Sequence, residues 1–117
     1  MIKGIGVDIV DLARFDRQVA RTPGLVPRLF APAERTLPTH LLAARFAAKE
    51  ALIKAFGESG GIRWHHMQVV SDSHGNPSFQ LTDAAAEVAE HRGITAVHLS
   101  MSHDAGVAVA YVVAESS

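Results

Sequence analysis

Four alanines, Ala44, Ala48, Ala51 and Ala55, recur at helical spacing through the stretch RFAAKEALIKAFG and the residue before it. A helix carrying that stripe has one face with almost no side-chain bulk, so another backbone can approach it closely. Leu42, Phe46 and Ile53 supply bulk nearby, and the pattern predicts a helix from about Leu41 to Phe56 that Gly57 terminates. Another side of this helix aligns Ala43, Ala47, Glu50, Lys54 and Gly57. Glu50 and Lys54 are then neighbours one turn apart, walled by side chains too small to cover them. On an arbitrary helix such a pair is solvated and worth about 0.3–0.5 kcal/mol.

Length and composition narrow what can surround this helix. A chain of 117 residues, 48% hydrophobic and 20% charged, suits one domain spanning 1–117 and is too short for two. It has no cysteine, so a disulfide framework is excluded and any metal must be held by Asp, Glu or His. Asp8 and Asp11 interrupt the apolar run that a secretory signal needs, and no stretch approaches the roughly 18 apolar residues of a membrane span. A soluble, cytoplasmic protein is expected. The net charge of -1 argues against bulk attraction to nucleic acid.

IKGIGVDI alternates Ile5, Val7 and Ile9 against Gly4, Gly6 and Asp8, the period of a half-buried strand. The two glycines leave the Asp8 face bare, with expected room beside the carboxylate for a ligand or metal. Asp11 is placed to cap the following helix, DLARFDRQVAR, which turns Leu12, Phe15 and Val19 inward and Arg14, Arg17 and Arg21 outward. Residues 22–40 hold four of the five prolines and read as a loop with short helical turns. MQVVSD and SFQLT flank a turn at SHGNP, and DAAAEVAEHRG is a short helix closed by Gly93. AVHLSMS alternates, HDAG turns, and VAVAYVVA returns as a strand apolar enough to be covered on both faces. The class is α+β, with about five strands and three main helices.

GIGVDI, RFAAKEALIKAFG and LSMSHDAG, in that order and over nearly the whole chain, resemble the holo-[acyl-carrier-protein] synthases, the small phosphopantetheinyl transferases. HGNPSFQL is similar to the Gly-x-Pro hairpin of that family. The resemblance implies the 4'-phosphopantetheinyl transferase fold, an antiparallel sheet with a long central helix, assembled as a homotrimer with active sites at subunit boundaries. It implies transfer of 4'-phosphopantetheine from coenzyme A to a serine of apo acyl carrier protein, with release of adenosine 3',5'-bisphosphate. By the same resemblance Asp8 and Glu50 are Mg²⁺ ligands, Lys54 stabilises phosphate charge, and Arg45 and Lys49 lie beside the coenzyme A phosphates. Ser102 and His103 then line the nucleotide site. Glu34 matches an acidic position of the family, but the connection before the central helix is shorter here, and Glu34 stays outside the catalytic set.

Arg14, Arg17 and Arg21 form a guanidinium face suited to an acidic helical carrier. Two other functions use the same residues: a noncatalytic module that binds an acidic partner through these arginines, and a metal-dependent phosphodiesterase that needs no acceptor protein.

Overall fold

The computed structural model describes residues 1–117. Strand β1 (Ile2–Asp11) pairs antiparallel with β5 (Val107–Glu115), and β5 pairs antiparallel with β4 (Ala96–Asp104), giving the order β1-β5-β4. Helix α3 (Thr39–Phe56) lies across one face of this sheet. The alanine stripe is where it touches. A Cβ added at Gly6 would stand 1.9 Å from the carbonyl oxygen of Ala51, and one at Gly4 would stand 1.9 Å from that of Ala55. Neither glycine has left-handed backbone; each is needed for the space a side chain would fill.

This contact corrects the expectation for β1. At Gly4 and Gly6 the glycine face is closed by α3, leaving space only at its Asp8 end, and the apolar face points outward, with Ile5, Val7 and Ile9 exposed at 57%, 50% and 63%. Close backbone approach decides the facing here, because glycine against alanine excludes water as completely as larger side chains do. On β5 the inner residues Ala108, Ala110, Val112 and Ala114 are buried, while Tyr111 faces outward. β5 is therefore fully covered on one face only.

Asp11 caps helix α1 (Leu12–Arg21), its Oδ1 accepting from the Arg14 N–H at 2.9 Å. Phe15 turns inward and packs with Leu29, Phe30, Leu42 and Ala43, a second part of the core beneath the short helix α2 (Leu25–Leu29). Gly57 ends α3 in the left-handed conformation, φ 76°, with its N–H shared between the Ile53 and Lys54 carbonyls.

The five strands form two antiparallel sheets. β2 (Met67–Ser71) and β3 (Pro77–Leu81) make a separate hairpin, which packs beside β4 without joining its ladder. The hairpin turn is organised by Asp72, whose Oδ1 accepts from the His74 and Asn76 N–H groups at 2.8 and 2.9 Å. These bonds hold the Asp72 carboxyl below the usual carboxylate range, the Asn76 N–H contributing most. Helix α4 (Asp83–His91) follows and ends before Gly93. The β4–β5 turn is tighter than HDAG suggests. Ala105 and Gly106 alone form it, both at positive φ, while His103 and Asp104 belong to β4. No helix is long and apolar enough to cross a membrane.

Candidate active site

The seating of α3 on β1 builds the site. Gly4 meets Ala55 and Gly6 meets Ala51, so each step of two residues along β1 moves about one turn back along α3. The next inward residue, Asp8, accordingly lies beside the turn that carries Glu50. Asp8, Glu50 and Lys54 line one cavity of about 480 Å³, together with Asp11 and Arg14 and with an apolar wall that includes Phe15 and Phe46.

Lys54 turns away from Glu50. Its Nζ lies 3.2 Å from Asp8 Oδ1 and donates to the Val7 carbonyl at 3.0 Å, on the free edge of β1. The i, i+4 pair expected from the helix alone is thus replaced by a bridge from helix to strand. Glu50 keeps its place in the cavity, and its carboxyl is raised above the ordinary range, first by burial and then by the nearby Asp8 carboxylate, with Lys54 opposing. Asp8 and Glu50 face one space; Asp11 also lines it but caps α1, and the three do not form a cluster that could hold a metal ion together. The Asp8–Glu50 pair fits Mg²⁺, which takes one or two carboxylates and fills its remaining positions with water and phosphate oxygens.

The arginine face divides. Arg14 lines the cavity, whereas Arg17 and Arg21 stand exposed farther along α1 and line none of the cavities described here.

Lys49 requires a correction. The resemblance places it beside coenzyme A phosphates, but its ammonium is fully buried and bonded to Glu34 Oε1 at 2.7 Å, Leu29 O at 2.8 Å and Trp64 O at 3.4 Å. An ammonium has three donors, so none remains for a ligand. Burial lowers its pKa, and Glu34 opposes that shift. Arg45 is nearly as enclosed; its Nε is buried without a hydrogen bond, 3.8 Å from Glu34 Oε2. Glu34 itself, left outside the site on sequence, is the buried acceptor that both basic residues approach. The signal that could have found it is the lone acidic residue in an apolar, proline-rich segment.

Ser102 and His103 are not brought to the cavity. Ser102 pairs with Val109, which pairs with Ile9, so it lies two strands away on the outer face. The His103 ring packs 5.7 Å from the His40 ring at the start of α3.

The model of the 4'-phosphopantetheinyl transferase superfamily matches residues 4–112. The chain belongs to that superfamily. It is a phosphopantetheinyl transferase, and the fold expected from the resemblance is the one observed. A relative from Clavibacter sepedonicus, a holo-[acyl-carrier-protein] synthase, is 70% identical, with 98% of this chain and 97% of the relative covered. The crystal structure of holo-[acyl-carrier-protein] synthase from Neisseria meningitidis is similar with a TM-score of 0.88 at 38% identity, covering 98% of this chain and 99% of that one. A holo-(acyl-carrier-protein) synthase from Bacillus anthracis in complex with CoA (3',5'-ADP) gives a TM-score of 0.81 at 35% identity, covering 100% and 99%.

Proposed function

We propose that the chain transfers 4'-phosphopantetheine from coenzyme A to a serine of an apo acyl carrier protein, with Mg²⁺, and releases adenosine 3',5'-bisphosphate. The observation that carries this reading is the convergence of Asp8, Glu50 and Lys54 on one cavity. It is supported by the 70% identical relative and by the similar structure that holds CoA. Attack of a serine hydroxyl on a pyrophosphate needs charge neutralisation, alignment and removal of one proton. Asp8 and Glu50 would hold Mg²⁺, which when bound neutralises and orients the pyrophosphate oxygens. Lys54 offers its ammonium to phosphate charge from the edge of β1. Glu50, whose carboxyl is raised above the ordinary range by burial and by Asp8, is one candidate to accept the serine proton, and water in the cavity is the other.

The deciding experiment mixes the protein with coenzyme A and Mg²⁺, with and without apo carrier. Transfer gives the carrier the mass of the arm and releases adenosine 3',5'-bisphosphate only when carrier is present. Release without carrier would mark a phosphodiesterase; no release but tight carrier binding would mark a noncatalytic module.

The docking face has its own consequence in the same assay. Replacing Arg14, Arg17 and Arg21 with alanine is expected to raise the KM for the carrier by about tenfold or more, and that for coenzyme A far less. Added salt mimics the substitution for Arg17 and Arg21, which are exposed. A carrier KM indifferent to both changes moves the docking face elsewhere.

A homotrimer with sites at subunit boundaries completes the proposal. The outer sheet face carries Ile5, Val7, Ile9 and Tyr111, all exposed in the single chain, a patch of the kind that marks association. Ser102 and His103 would then serve the site of a neighbouring copy. Sedimentation should give three chains per particle, and a fully active single-chain species would rule the trimer out.

A further inference from the structure

A cavity of about 680 Å³ opens between α2, the short 3₁₀ turn Trp64–His66 and the start of α4, and it shares no residue with the Asp8–Glu50–Lys54 cavity. Its polar lining comes from separate segments. Arg28 belongs to α2, Arg63 precedes the turn that carries His65 and His66, and Thr82 precedes α4. Two guanidiniums therefore meet one carboxylate, Asp83, in a chain whose net charge is -1. Neither guanidinium has a carboxylate within 4.0 Å. Asp83 approaches the His66 ring instead, with Oδ2 4.0 Å from Nε2.

The two imidazoles are fastened, and that fixes the walls. His65 Nε2 donates to the Pro27 carbonyl at 2.6 Å, tying the turn to α2. His66 Nδ1 accepts from the Arg63 N–H at 3.1 Å, so its neutral ring carries the proton on Nε2 and is a donor there. Thr82 makes no side-chain bond across the start of α4, which leaves its hydroxyl for another partner. Hydrogen-bond donors outnumber acceptors on this lining. Guanidiniums offer forked N–H pairs that match phosphoryl oxygens, and the volume lies in the range of small-ligand sites.

We propose that this cavity is a second ligand site, which takes a small, multiply charged phosphate compound through Arg28 and Arg63. Donors from His66 and Thr82 complete the lining, and Asp83 opposes the ligand's charge. The inference does not depend on the transferase reading, since none of these residues takes part in transfer.

Inorganic pyrophosphate is the probe, titrated without divalent metal. Trp64 is the only tryptophan of the chain and lines the cavity, so its emission reports binding there, and calorimetry gives the affinity. Saturable binding with a Kd of about 1 mM or tighter is expected. Arg28→Gln and Arg63→Gln should each weaken it about tenfold or more, and both should melt within a few degrees of wild type because the side chains are exposed. Asp83→Asn removes the one opposing carboxylate and should tighten binding several-fold. Lys54→Met, which strips the cation from the other cavity, should leave the affinity within about twofold. Three results overturn the proposal: no saturable binding up to about 10 mM, affinity lost in Lys54→Met, or affinity kept in the Arg28→Gln, Arg63→Gln double variant.

Discussion

Glu50→Gln is expected to lower turnover by about two orders of magnitude or more while leaving the protein folded. The substitution keeps the side-chain volume and removes the carboxylate that shares the cavity with Asp8 and Lys54. If Glu50 were a solvated surface residue, the activity would hardly change. Stability gives an independent readout. The folded state raises the Glu50 pKa, by burial first and Asp8 second, so the folded chain binds this proton more tightly than the unfolded one. As pH rises from the ordinary carboxylate range through the raised value, the unfolded state holds fewer protons than the folded state, and stability falls. The contribution is favourable below that window and lost above it. Without metal, Glu50→Gln should therefore melt at or above the wild-type temperature near neutral pH and lack this part of the pH dependence. The activity should run the other way: wild-type turnover drops as pH falls through the raised value, while the residual turnover of the variant lacks that limb. A variant that loses stability together with activity would return Glu50 to a structural role.

Much of this arrangement was legible in the sequence, and the residues show why the rest was not. The α1 cap at Asp11, the end of α3 at Gly57 and the hairpin turn at SHGNP follow from local chemistry, in which a residue acts on backbone a few positions away. The facing of β1 did not follow, because periodicity reports two faces and leaves open which one is buried. Only the pairing of Gly4 and Gly6 with Ala55 and Ala51, a contact between distant segments, decides it. The motifs singled out Asp8 and Glu50, which the fold brings to one cavity, but not the partner of Lys54. Spacing offered Glu50, while the tertiary structure brought Asp8 and the Val7 carbonyl within reach. Lys49 shows the same limit more sharply. On the helix it is one basic residue among several, and its burial depends on Glu34, fifteen positions away along the chain.

Gly6→Ala is expected to have the largest effect on the fold, from a single methyl group. The added Cβ would stand 1.9 Å from the Ala51 carbonyl oxygen and 2.9 Å from both the Ala51 carbonyl carbon and the Ala55 nitrogen. All three atoms are backbone of a regular helix, so no side-chain rotation relieves the clash. Either α3 moves away from β1, or the sheet bends. Both open a layer in which Ala47, Ala48, Ala51 and Ala55 are now sealed. Overpacking a core costs about 1–3 kcal/mol, and more where rigid backbone must move. For a chain of this length each 1 kcal/mol lowers the melting temperature by about 3–6 °C, so a fall of about 10 °C or more is expected. Lys3→Ala, on the same strand but exposed, is the control and should melt within a few degrees of wild type. Activity should fail before folding does. The spacing of α3 from β1 sets the distance between Asp8 and Glu50, and at a low temperature where Gly6→Ala remains folded, its turnover should still be depressed. A Gly6→Ala protein with wild-type melting and wild-type turnover would mean that the helix does not rest on the strand, and that the site is assembled in some other way.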